Sequence, residues 1–381
     1  MNEYTFCRIF RQMYFNSQFT IHNLQFKMKI LVIQTAFIGD VILATGILEK
    51  LHQHFPQSQL DFMIRKGNES LLEGHIFINN LLIWDKQNHK YATLWQLLKK
   101  IRATKYDLVI NLQRFASMGF LTAFSGAKET IGFDKNPFSF LFSKKIKHII
   151  GNNDSKNTHE IERNHALIAA ITDNVAHKPR LYPQEKDYLS VKSYQTTTYV
   201  CFAPTSVWFT KQFPLERWAE VAQKINEIYT KQNFKNVVIY LLGAKSDTQA
   251  CEEIALKITE NLNKNFSENQ VISSENAIEK VVNLAGKLTL LQSAALMQTA
   301  KMNFVNDSAP MHLASALNAP TRAFYCSTLP AFGFYPLSDD GKIIEVKTKL
   351  ACRPCGLHGH AKCPEKHFKC GFEIILDEKL A

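Results

Sequence analysis

Three short loops hold the residue types that a group-transfer reaction needs. The first, Gln34 to Leu43, sets Gly39 and Asp40 between a buried apolar run and a helical pattern. Gly39 permits a tight turn and close substrate approach. Asp40 is a candidate general base toward an attacking hydroxyl, a role worth about 10²–10⁴ in rate, or alternatively a helix N-cap. The second loop, Ala203 to Pro214, carries Thr205, Ser206 and Lys211. Hydroxyls and a lysine near a helix start suit a diphosphate, with Lys211 neutralising charge on a departing group; the alternative for Lys211 is a surface cation. The third loop, Val305 to His312, contains Asp307, Ser308, Ala309 and His312, with Pro310 placed for the first turn of a helix. Free amides and the Ser308 hydroxyl there form a phosphate site. Asp307 and Ser308 are otherwise caps, and His312 is otherwise a packed side chain. Leu288, ahead of a helix whose Leu296 and Met297 are core, is positioned to cover a base.

The elements that must place these loops alternate twice along the chain. Ile30 to Ile33 is a continuous apolar run, as in a strand buried on both faces of a parallel sheet. Apolar residues then recur at helical spacing from Val41 to Leu51, and Pro56 ends the pattern. Strand-like runs at Leu60–Ile64, Asn80–Trp84 and Leu108–Leu112 alternate with a helical stretch at Tyr91–Arg102. After a polar passage with Pro179 and Pro183, the alternation restarts with a strand at Tyr199–Ala203 and a helix over Leu215–Tyr229. A strand at Val237–Leu242, a helix over Asp247–Leu262 and a strand–helix pair from Lys301 to Leu317 follow. Two α/β lobes with a cleft at the carboxyl ends of their strands are expected, where open α/β sheets bind ligands.

A chain of 381 residues suits two such units. With 46% hydrophobic and 21% charged residues it reads as an ordinary globular protein, and it has no apolar stretch of membrane-spanning length. The net charge of +11 favours anionic partners without choosing among nucleic acid, lipid headgroups and nucleotide sugars. Residues 1–27 carry seven aromatics but no secretory pattern, and read as an extension from an upstream start or a weakly ordered end.

Four of the eight cysteines, Cys352, Cys355, Cys363 and Cys370, fall near the end of the chain. Such clustering argues against a secreted disulfide scaffold and for a reducing cytoplasm. Their spacing makes them candidate zinc ligands, with His358, His360 and His367 nearby; reduced packed thiols are the alternative.

In order and spacing, Lys29–Leu43, Trp208–Pro214, Asn283–Leu290 and Asn306–Ala316 resemble the motifs of glycosyltransferase family 9, the ADP-heptose:lipopolysaccharide heptosyltransferases. The resemblance spans about Met28 to Phe372. It implies a GT-B fold of two Rossmann-like, doubly wound lobes, with an acceptor lobe at 28–180, a linker at 181–198, a nucleotide-sugar lobe at 199–345 and a cysteine-rich segment at 346–381. It also implies inverting catalysis without metal or cofactor, with Asp40 as base and Lys211 facing the donor phosphates. Asp307, Ser308 and His312 fall on the family's donor-binding turn. Ala309 stands where relatives usually carry glycine, and Thr205 and Ser206 match loosely. The implied partners are an ADP-sugar donor and a lipid A or core oligosaccharide acceptor at the inner face of the inner membrane, with no nucleic acid. A transferase using another nucleotide sugar is the alternative, and a non-catalytic basic nucleic-acid-binding protein a remote one.

Overall fold

The computed structural model describes residues 27–88, 90–150, 158–264 and 277–380. The expectation for residues 1–27 therefore lies, except for Lys27, outside the described residues.

The first apolar run folds as β1 (Lys29–Ile33), and its residues 30–33 are fully buried. It pairs in parallel with β2 (Gln59–Arg65) on one side and β4 (Leu108–Asn111) on the other. With β3 (Asn80–Trp84), β5 (Glu129–Phe133) and β6 (Lys144–Ile146) the order is β3-β2-β1-β4-β5-β6, every pairing parallel. The second sheet repeats that plan with β7 (Tyr199–Ala203), β8 (Val237–Leu241), β9 (Ile278–Asn283), β10 (Met302–Asn306), β11 (Thr321–Tyr325) and β12 (Gly341–Glu345). Its order, β9-β8-β7-β10-β11-β12, is the first sheet's order strand for strand. In each sheet the winding reverses between the first and fourth strands of the lobe, so the loops leaving β1 and β4, and those leaving β7 and β10, open at the two switch points where such sheets bind ligands. Asp40 stands in the first helical turn after the β1 loop, and the other three loops contain Arg114, Lys211 and Asp307.

The helices that matter most to the site are α1 (Ile38–His54), after β1, and α9 (Ala309–Ala316), after β10. Between them in the chain lie α2 (Lys90–Thr104), α3 (Ala116–Ala123), α4 (Glu160–Ala166), α5 (Glu185–Val191), α6 (Trp218–Lys231), α7 (Thr248–Lys264) and α8 (Leu290–Gln298); α10 (Lys369–Phe372) follows near the end. Helix α1 packs on α9, and α5, inside the stretch expected as a linker, packs on α8. One continuous core joins Ile42, Ile47 and Leu48 of α1 to Leu296 of α8 and Met311 and Leu313 of α9. Each such fully buried Leu or Ile contributes roughly 1.5–3 kcal/mol, so apolar contact holds the lobes together beneath the cleft. The cysteine-rich segment is anchored by Phe368 and Cys370, both buried in the core of the second lobe. Arg217 ties it further by donating to the carbonyls of Gly371, Phe372 and Ile374 at 2.9–3.0 Å.

Candidate active site

Asp40 lies in the first turn of α1, whose N-cap position is Phe37. It is thus not the cap that its place in the sequence also allowed. Its carboxyl helps form a cavity of about 390 Å³ with Arg114, Glu160, Phe334, Leu357 and His358. The surrounding protein pushes the Asp40 carboxyl above the usual carboxylate range. The Phe37 backbone and the charges of Lys211 and Arg114 oppose that shift only partly. Burial also raises the carboxyl of Glu160, against the pull of Arg163, and the charge of Asp40 adds to the rise. Arg163 donates to Glu160 at 2.6 Å and to the Phe332 carbonyl at 2.8 Å. Gln113 donates to Gln34, which joins the loops after β4 and β1 at the cavity wall.

Gly39 occupies no tight turn. It sits within α1, and a Cβ placed on it would lie 2.9 Å from Cδ2 of His312. The missing side chain therefore admits a histidine from the other lobe. His312 is buried, its Nδ1 has no hydrogen-bond partner, and burial lowers its pKa to about 4. It is a neutral imidazole at the lobe junction.

In the second lobe, Lys211 Nζ stands 2.8 Å from Asp307 Oδ2. Thr328 donates to that same carboxylate oxygen at 2.6 Å. Asp307 is buried and spends its side chain on these two partners rather than on a helix cap. Ser308 takes the N-cap position of α9, yet its hydroxyl makes no capping bond; its nearest acceptor is the Asn306 carbonyl at 3.5 Å. With Pro310 in the first turn, the helix start can receive an anion through its amides and dipole. Ala309 begins the helix and is absent from the described residues with positive φ, so its backbone does not call for glycine.

Thr205 and Ser206 are half-buried in the loop after β7, where the Ser206 amide donates to Gln212 at 3.1 Å. Leu288 is half-buried and packs on the core that joins the lobes. The four clustered cysteines are free thiols. Cys352 Sγ lies 4.0 Å from Nε2 of His367, Cys355 Sγ donates to the Cys352 carbonyl at 3.2 Å, and among the described residues no three His, Cys, Asp or Glu groups converge as a metal site.

Several residues of this region escaped the sequence reading. Buried Asn306 pins the Lys211 loop by donating to the Pro204 carbonyl at 2.9 Å and accepting from the Phe213 amide at 2.8 Å. A buried amide at the end of a strand, just before Asp307, was the available signal. Thr328 and Glu160 reach the site from elements distant in sequence, and nothing local marks them; His358, noted beside the cysteines as a possible zinc neighbour, lines this cavity instead. A larger groove of about 880 Å³ along β12 is lined by none of the expected site residues.

Two equal doubly wound sheets meeting at paired switch points define the GT-B fold. The chain belongs to glycosyltransferase family 9 (heptosyltransferase), whose model matches residues 94–366. Among curated relatives, lipopolysaccharide heptosyltransferase 3 of Escherichia coli is 24% identical over 308 residues, covering 77% of this chain and 82% of the relative. Lipooligosaccharide heptosyltransferase 2 of Haemophilus ducreyi is 24% identical over 336 residues, covering 84% and 89%. Among solved structures, the E. coli ADP-heptose lipopolysaccharide heptosyltransferase II superposes with a TM-score of 0.66 at 22% identity, covering 86% of this chain and 96% of the other. The family 9 glycosyl transferase from Veillonella parvula gives a TM-score of 0.68 at 22% identity, covering 85% and 88%.

Proposed function

We propose that the chain transfers a heptose from ADP-heptose to the inner core of lipopolysaccharide, a Kdo–lipid A or heptosyl acceptor, by one inverting displacement that uses no metal or cofactor. An acceptor hydroxyl attacks the anomeric carbon opposite the nucleotide, the bond from that carbon to the β-phosphate oxygen breaks, and ADP departs. Asp40 accepts the hydroxyl proton, a task suited to a carboxylate whose pKa is raised by burial. Lys211, steered by Asp307, and the start of α9 stabilise charge on the leaving ADP, with Thr205, Ser206, Ala309, Leu288 and His312 forming the rest of the donor side.

The observation that carries this reading is the opposition of two chemistries across one cleft. A carboxyl with raised proton affinity lies at the first switch point, and an oriented lysine lies at the second. The cavity beside Asp40 is also lined by Arg65, Lys86, Lys90 and Arg114. Those cations suit an acceptor that carries carboxylates or phosphates. Residues 28–180 are then the acceptor lobe and 199–345 the donor lobe. Because the acceptor is a lipid, the enzyme works at the inner face of the inner membrane; among the described residues no helix is long and apolar enough to cross a membrane. The net charge of +11 favours encounter with an anionic surface.

The test is ADP release by the purified protein from ADP-heptose, with and without Kdo–lipid A. Acceptor-dependent release is expected. Release only from another nucleotide sugar would reassign the donor, and neither release nor ADP binding would remove the transferase reading.

A further inference from the structure

The cysteine-rich segment, whose spacing suggests zinc ligands or packed thiols, reaches the lysine loop through its backbone. The Thr210 amide donates to the His360 carbonyl at 3.1 Å, and the His360 amide donates to Thr210 Oγ1 at 2.7 Å. Ser327, fully buried, donates its hydroxyl to Thr210 Oγ1 at 3.0 Å and its amide to the Thr210 carbonyl at 3.1 Å. The Cys355 amide then donates to the Ser327 carbonyl at 3.0 Å. Beside this knot, Gly359 has a φ of +73°, and a Cβ on it would lie 2.9 Å from both Lys211 Cγ and Thr210 Oγ1. The tail passes against the aliphatic stem of Lys211 at a distance only glycine permits.

A second thread runs from the same segment to the lysine's partner. Arg353 Nη2 is held by Glu345 at 2.6 Å and donates to the Thr328 carbonyl at 2.8 Å. The Thr328 hydroxyl donates to the Asp307 carboxylate that pairs with Lys211. Both members of the ion pair are thus braced from one stretch of eight residues, 353–360, and that stretch also carries Leu357 and His358 into the cleft.

We propose that residues 353–360 are a positioning element of the active site, holding Lys211 in the orientation that meets the leaving diphosphate, with Thr210 and Gly359 as its contact points. This rests on the assignment of Lys211 to the diphosphate. A long flexible lysine stem loses much rotamer freedom when it is fixed, so bracing it beforehand lowers the cost of binding and of reaching the transition state.

The test is a set of ADP titrations by calorimetry on the full chain, with turnover measured beside them. Thr210→Val removes the hydroxyl at nearly constant shape and should weaken ADP binding by about five- to tenfold, whereas Thr210→Ser, which keeps the hydroxyl, should restore it. Gly359→Ala presses on the lysine stem and should give a loss of similar size with every hydroxyl intact; it also serves if Thr210→Val fails to fold. In a Lys211→Ala background neither change should matter further, because a residue acting through Lys211 loses its effect once Lys211 is gone. Additive losses in that background, or no loss in folded Gly359→Ala protein, would overturn the positioning role. If Lys211→Ala by itself leaves ADP affinity unchanged, the diphosphate assignment of Lys211 fails, a result distinct from additivity.

Discussion

The two lobes share one strand order and place their chemistry at the same topological point, yet they treat charge in opposite ways. At the first switch point Asp40 and Glu160 share a cavity in which burial raises both carboxyls. At the second, Asp307 is buried and has a lysine at 2.8 Å and a hydroxyl at 2.6 Å. A carboxylate partnered in this way is held in place beside a cation, whereas a carboxyl whose partners do not offset burial keeps a raised proton affinity, as the proposed base requires. Topology supplies the position, and the immediate neighbours decide the role.

The contrast can be broken most severely at Asp40. Asp40→Asn is expected to lower turnover by about 10²–10⁴, since it removes the proton acceptor at constant shape. The same change should raise the melting temperature near neutral pH. A carboxyl whose folded pKa is raised favours folding most when it is protonated, and that favour is lost as pH rises through the folded value. A thermal melt at pH 5 and pH 8 checks the sign: the advantage of the variant should be larger at pH 8. Lys211→Ala should lower turnover by about 10²–10³, as for loss of one preorganised stabiliser of leaving-group charge.

Arg114→Ala is a smaller perturbation that sharpens the assignment of the base. Its charge lowers the Asp40 pKa, so the acid limb of the kcat/KM profile should move to higher pH in the variant. An unmoved limb would mean that another group titrates. The smallest change is expected from Ala309→Gly. Ala309 has ordinary helical backbone, so glycine should alter ADP affinity by less than about threefold while costing up to about 1 kcal/mol in stability.

Much of this was legible from order and periodicity. The buried run at Ile30–Ile33, the restart at Tyr199 and the strand–helix pair around Asp307 each correspond to an element of the fold, because buried parallel strands need continuous apolar runs. What could not be read were contacts between distant segments. Gly39 suggested a loop, but its reason is His312 from the other lobe, 273 positions later in the numbering. The cysteine-rich segment suggested metal ligands, and it instead meets the Lys211 loop through Gly359 and His360 and lines the cleft with Leu357 and His358. Neither contact has a local signature, since each depends on how two folded units meet.

The division of labour between the two switch points is tested most directly by titrating ADP into Asp40→Asn and Lys211→Ala protein side by side, with turnover recorded for both. The Asp40 variant should keep wild-type ADP affinity while losing turnover, and the Lys211 variant should lose both. Equal weakening of ADP binding by the two changes would contradict that division, because a proton acceptor on the acceptor side has no reason to hold the nucleotide.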